Sequence, residues 1–303
     1  MKHYTVQQRN TAGEQQAFVT QSDRCFEKQM DAVAEAVAAI EGLKLLGLTG
    51  PTCAGKTTAA KKMTDCLEEH GHRVHVISID DFYYDKSVLQ LRAENDPDIE
   101  IDYDSEETID IALLEEKTAS LLHGDETRMP RFDFRSGIRT EGVTLTPQPD
   151  DVFLFEGIQI LYPKVDRILQ GDSYRSIYIC PASAIEIGGE CFLPNEIRLM
   201  RRLVRDHRYR ASDPAFTLYL WQSVRENEEK HIFPNANTCH FYIDSTMPYE
   251  IGMLRPYLEE ILPTVPTESP FHGQAQNMLA RLQNILPIAS SYMTENSLYK
   301  EFI

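Results

Sequence analysis

The chain has 303 residues and an apolar fraction of 42%, enough for a sizeable core in one large domain or two modest ones. Acidic residues outnumber basic ones by 47 to 30, a formal charge of −17, and a surface of that sign repels nucleic acid and anionic lipid. No apolar run approaches the roughly 18 residues that span a bilayer, the polar start MKHYTVQQRN leads into no signal-like segment, and the six cysteines include no CxxC pair. These features predict a cytoplasmic protein with free thiols and neither a nucleic-acid nor a membrane partner.

Residues 1–42 read as an N-terminal helical extension, in which Phe26, Met30, Val33, Val37 and Ile40 recur at steps of three and four and predict an amphipathic helix over 23–40. Residues 43–303 read as the main domain. Its first elements are a strand at Leu43 to Leu48, a helix from Thr57 to His70 stopped by Gly71, a strand at Val74 to Ile79 and a helix over 108–122. Strands near Val152 to Phe155 and Ser176 to Cys180 continue the alternation, which predicts an α/β fold with a doubly wound parallel sheet in three layers.

Between helix 108–122 and the strand at Val152, the segment RMPRFDFRSGIRTEGVTLTPQPDD carries short β-prone runs and turn signals. It predicts a small antiparallel insertion over 126–148. Later come an Arg-rich helix (Asn195 to Tyr209), a helix holding the single tryptophan (Pro214 to Lys230) and a strand at His240 to Ile243. Helical segments near 248–262 and 273–285 make up a C-terminal region, 245–303.

Gly50, Gly55, Lys56 and Thr57 satisfy GxxxxGK followed by Ser or Thr, a pattern that chance would place in a chain of this length about one time in a hundred. Strand, glycine-bounded loop and helix start follow in the order that aims backbone N–H groups and a helix N-terminus at phosphates. Gly50, Pro51, Thr52, Cys53, Ala54, Gly55, Lys56, Thr57 and Thr58 are therefore the expected nucleotide cradle, with Lys56 reaching the terminal phosphates and the Thr57 hydroxyl a ligand for Mg²⁺. Neither an NKxD guanine-reading string nor an LSGGQ string occurs.

A kinase also needs carboxylates at the same sheet edge. VHVISIDDFYYD places Asp80 at the end of the second strand as candidate base and a further metal-site carboxylate, and DVFLFEG ends the third in Glu156, which resembles the acidic residue of a Walker B strand that holds Mg²⁺. RLMRRLVRDHRYR puts Arg198, Arg201, Arg202 and Arg205 on one side of a helix, with Arg208 and Arg210 beyond, predicting a positive stripe that clamps phosphate oxygens and closes over them as a lid, 195–212.

Taken together, GPTCAGKTT, SIDDFYYD, YDSEETID, PRFDFRSGIR, FEGI and RRLVRDHRYR resemble the uridine kinase and phosphoribulokinase family of P-loop kinases, and WQSVRENEEKHIFP, IDSTMPYEIGML and ENSLYKEFI extend the likeness to longer bacterial uridine kinase-like proteins. The resemblance implies ATP-dependent phosphorylation of a small acceptor, foremost a nucleoside 5′-hydroxyl. It makes Asp80 the base, sets Asp104 on the ribose hydroxyls, Glu156 beside Mg²⁺, Arg202 near acceptor or phosphate, Arg205 and Arg210 on the transferred phosphates, and Phe132 and Arg139 in the acceptor pocket. The family positions that read a pyrimidine edge, a Tyr and a His, correspond here to Phe132 and Gly137, and Ala211 follows Arg210 where the lid usually has glycine. Phosphorylation of another alcohol or a sugar phosphate, ATP binding without transfer, and homo-oligomerisation stay open.

Overall fold

The computed structural model describes residues 2–95 and 105–303. In chain order the elements are β1 (Lys2–Thr5), α1 (Ala12–Ala38), β2 (Leu45–Thr49), α2 (Lys56–Glu69), β3 (Arg73–Ser78), α3 (Lys86–Asn95), α4 (Ile111–His123), β4 (Thr127–Asp133) and β5 (Ile138–Leu145). They continue with β6 (Asp151–Glu156), α5 (Pro163–Leu169), β7 (Tyr174–Cys180), β8 (Ser183–Ile187), β9 (Glu190–Phe192), α6 (Pro194–Arg210), α7 (Pro214–Asn227), β10 (Phe241–Asp244), α8 (Glu250–Ile261) and α9 (His272–Leu282). Among the described residues no helix is long and apolar enough to cross a membrane.

The central sheet is five-stranded and parallel, in the order β10-β7-β2-β6-β3. Its three inner strands, β7, β2 and β6, are apolar on both faces because both are covered: Leu46, Leu48, Val152, Leu154, Ile177 and Ile179 point into one core layer with α1, α2, α6 and α8, whereas Leu45, Phe153, Phe155, Tyr174 and Tyr178 point into the other. Chain order reverses at β2, which lies between β6 and β7, so the carboxyl ends of β2, β6 and β3 open on one crevice.

The insertion forms the expected antiparallel pair, β4 with β5, with a register irregularity between Arg128 and Pro130. Two features differ from expectation. Helix α1 starts at Ala12 rather than near residue 23, because Thr11 and Glu14 form a reciprocal capping box that satisfies the first N–H groups of a polar opening turn. A second, three-stranded sheet, β1-β8-β9, also forms; its first strand, KHYT, is exposed along its whole length and gives no period-2 apolar signal.

At the opposite edge of the main sheet, Arg73 donates two hydrogen bonds to Asp151 at 2.8 and 2.6 Å, and His75 lies 2.9 Å from the same carboxylate. Burial pushes the Asp151 carboxyl up, but hydrogen bonds from Arg73, the Gln148 N–H and His75 outweigh it and hold it at about 2. A folded value below the ordinary carboxylate value of about 3.9 adds stability above that pH, lost as pH falls toward the folded value. Asp151→Asn is expected to cost roughly 1–2 kcal/mol at neutral pH. In thermal melts, the gap to the unaltered protein should narrow between about pH 4 and pH 2.

Candidate active site

The loop between β2 and α2 is shaped by what its glycines leave out. A Cβ on Gly50 would lie 2.0 Å from the Ile179 carbonyl oxygen, so the loop can turn this close to β7 only without one. Gly55 takes φ +98°, a left-handed conformation, and caps α2 without a side-chain bond, which leaves the first N–H groups of the helix uncapped by its side chain. Lys56 folds over the loop, its Nζ donating to the carbonyls of Gly50 at 2.9 Å and Pro51 at 3.1 Å. Burial pushes its ammonium below the ordinary value, opposed by Glu156, Glu301 and Asp80.

The carbonyl side of this loop is gripped from behind. Arg198 donates to the Thr52 carbonyl at 3.2 Å and pairs with Glu228 at 2.5 and 2.7 Å. Arg201 donates to the Cys53 carbonyl at 3.2 Å and to the Ser245 carbonyl at 2.7 Å, and pairs with Glu250 at 2.7 and 3.1 Å. These two arginines are 1% and 0% exposed. The expected single cationic stripe is thus corrected: spacing put four arginines on one helix face, but Glu228 and Glu250 draw Arg198 and Arg201 into the interior. Arg202, Arg205 and Arg210 remain at the cleft and share one carboxylate, Asp206, at 3.2, 2.6 and 3.7 Å. Three cations on one anion leave a positive excess facing the opening.

The cleft holds about 1080 Å³ and is lined by Thr52, Cys53, Lys56 and Thr57 from the loop, by Asp80 and Glu156, and by the three arginines. Asp80 sits in a short 3₁₀ turn, Ile79–Phe82, directly after β3, and Glu156 is the last residue of β6, paired in register with Ser78. Burial raises the Glu156 carboxyl above its ordinary value, partly offset by the Ser78 hydroxyl and Lys56. Thr57, Asp80 and Glu156 give the cleft hydroxyl and carboxylate oxygens, the donor chemistry of a hard divalent cation. The other loop residues, Gly50, Pro51, Ala54 and Gly55, are buried.

Two residues expected at the acceptor stand elsewhere. Phe132 is 7% exposed, and its ring meets Tyr83 and Phe134 edge-on at 5.5 and 5.2 Å, with Tyr83 and Phe134 facing the cleft. Arg139 forms an ion pair with Asp110 at 3.0 Å and donates to the Tyr83 carbonyl at 3.4 Å, so its charge is spent in docking β5. Asp104 lies outside the described residues.

Sequence reasoning passed over Tyr83, Phe134, Arg135, Gln159 and Glu301, all of which line the cleft. Tyr83 lies within the motif around Asp80 and Gln159 three residues beyond Glu156, so sequence proximity could have flagged both. Glu301 is more than 240 residues from the loop, yet its carboxylate accepts from the Thr58 N–H at 3.4 Å and the Thr58 hydroxyl at 3.3 Å. No local pattern announces that contact.

Among known proteins, the chain is 28% identical over 226 residues to a uridine kinase of Lactobacillus helveticus, a match covering 72% of this chain and 95% of that one. It is 29% identical over 206 residues to a uridine kinase of Staphylococcus aureus, covering 67% of this chain and 86% of the relative. A solved structure from Bacillus stearothermophilus, described as "a Possible Uridine Kinase", superimposes with a TM-score of 0.46 at 17% identity over 72% of this chain and 98% of that one. The model of the phosphoribulokinase / uridine kinase family matches residues 45–251, from the first residue of β2 into the start of α8. That stretch contains the loop, both strand-end carboxylates and the arginines of α6, and the chain belongs to the phosphoribulokinase / uridine kinase family of P-loop kinases.

Proposed function

We propose that the protein transfers the γ-phosphoryl group of ATP to the 5′-hydroxyl of a nucleoside. The observation that carries this reading is the shared cleft: Lys56 at the start of α2, Asp80 just after β3 and Glu156 at the end of β6 face one opening together with Arg202, Arg205 and Arg210. In the reaction, Asp80 accepts the proton of the acceptor hydroxyl as that oxygen bonds to the γ-phosphorus, and the bond from phosphorus to the β–γ bridging oxygen breaks to release ADP. The loop N–H groups and Lys56 bind the phosphates, and the arginines meet the negative charge of the group in transfer. Thr57, Asp80 and Glu156 would hold Mg²⁺, which when bound neutralises phosphate charge.

A second reading has a specific observation behind it: an acceptor alcohol that itself carries an anionic group. Arg135, at the tip of the β4–β5 hairpin, lines the cleft, and its guanidinium has no ion-pair partner among the described residues. Phe132 is buried, and Gly137 lies against the Lys86 side chain, so neither offers a polar group to a base edge.

Purified protein with ATP and Mg²⁺ should release ADP with uridine or cytidine and yield a product heavier by one phosphoryl group. Turnover with ribulose 5-phosphate and none with nucleosides would select the second reading; tight ATP binding with no acceptor-dependent ADP from any of them would mark a nucleotide-binding protein without transferase activity. Asp80→Asn is expected to lower kcat by about 10²–10⁴-fold while leaving ATP affinity within a few-fold.

Glu301 gives a further expectation. Its carboxylate occupies N–H and O–H donors at the start of α2, a position where a phosphate would seek the same donors. Glu301→Gln removes that negative charge at constant shape and should tighten ATP binding by about fivefold in calorimetric titration, more at low ionic strength than at high.

A further inference from the structure

Gln159 lies in the turn Ile158–Leu161, immediately after the glycine that follows Glu156, and is 1% exposed. Its Nε2 donates one hydrogen to Asp80 Oδ1 at 2.9 Å and the other to the Tyr83 hydroxyl oxygen at 2.6 Å. Its Oε1 is buried and has no hydrogen-bond partner among the described residues. Rotating the amide by half a turn would aim that carbonyl oxygen at the Asp80 carboxylate, so charge fixes the orientation seen.

An orphaned buried acceptor costs about 1–3 kcal/mol, and an apolar side chain of the same length would avoid it. The site keeps an amide nonetheless. We propose that Gln159 is a positioning residue for the base, an inference that rests on the reading of Asp80 as the group that accepts the acceptor's proton. With Oδ1 held by the amide, the carboxylate cannot rotate freely, and Oδ2 is left to face the acceptor hydroxyl. Through its second N–H the same amide fixes Tyr83, whose ring meets Phe132 at 5.5 Å and Phe134 at 6.2 Å, so the base and the aromatic wall of the acceptor site share one anchor.

The experiment uses the full chain, ATP, Mg²⁺ and uridine, with Gln159→Met as the variant that keeps length and removes the amide. The expected result is a Tm equal to or above that of the unaltered protein and kcat lower by about tenfold or more, with ATP affinity and the KM for ATP within twofold. Gln159→Leu should give the same pattern and serves if methionine alters the fold. A lowered Tm with unchanged kcat in both variants would overturn the proposal, since that is what a merely structural glutamine gives. Uridine turnover surviving Asp80→Asn removes the reading of the base, whereas an inactive Asp80→Asn beside fully active Gln159 variants removes only the role of Gln159.

Discussion

Two buried guanidinium groups hold the phosphate loop by its carbonyls. A loop that presents its N–H groups to an anion must dispose of its carbonyls elsewhere, and here the Thr52 and Cys53 carbonyls are taken by Arg198 and Arg201. Each arginine is in turn neutralised by a carboxylate inside the protein, Glu228 or Glu250. Burial alone would lower the Arg201 pKa; Glu250 and Tyr299 overcome it and raise it, so the charge is permanent. Removing one partner from such a pair strands a buried ion, a loss of about 3–5 kcal/mol, which makes the loop's shape as costly to alter as the core itself.

That grip reaches into segments beyond residues 45–251. Glu250 also accepts from the Tyr299 hydroxyl, and the rings of Tyr299 and Phe302 lie 5.3 and 5.1 Å from the Arg201 guanidinium carbon. The tail is tied a second time by Asp23 of α1, which accepts from the hydroxyls of Tyr249 at 2.6 Å, Thr294 at 2.8 Å and Ser297 at 3.1 Å. Leu298 fills the space a Gly55 side chain would need. The N-terminal helix and the C-terminal tail thus brace the back of the loop that the family core contains, and they deliver Glu301 to its helix start. The same bracing limits any lid motion of α6: its first half is locked to the rest of the protein by the buried pairs of Arg198 and Arg201, whereas Arg202, Arg205 and Arg210 pair with Asp206 of the same helix. Ala211 closes that helix at φ +49°, a left-handed conformation in which a Cβ costs about 1 kcal/mol and glycine would cost little.

What could be read in the sequence was the chemistry that local spacing encodes. The loop, Asp80 and Glu156 each follow directly on an apolar strand, and an alternating α/β chain brings strand ends to one edge, so their meeting at one cleft follows from order along the chain. The arginines show where such reading stops. Positions 198, 201, 202 and 205 share a helix face whatever surrounds them, and whether the face is solvated or buried depends on Glu228 and Glu250, 30 and 49 residues away. The strand β1 was invisible for a related reason: it is held by a parallel ladder to β8, and a ladder needs no apolar side chains. Glu301 and Asp23 act across most of the chain's length, a distance at which no pattern in one sequence carries information.

The acidic run after β3 shows how one short stretch divides its labour. Asp80 faces the cleft. Asp81 accepts from the Phe132 N–H at 3.0 Å, Asp85 accepts from the Arg139 N–H at 2.6 Å, and Lys86 donates its N–H to the Gly137 carbonyl at 2.9 Å, so the residues next to the candidate base dock both strands of the hairpin and the turn between them. Asp110 completes the attachment by pairing with Arg139. A hairpin that met the domain only through side chains at its base could tilt on its own; one bonded by its backbone to the turn that carries Asp80 cannot move far without moving the base. The aromatic wall of the cleft and the candidate base are therefore set by one piece of backbone, so side chains such as Phe134 and Arg135 can be exchanged along β4 and β5 while that backbone stays in place.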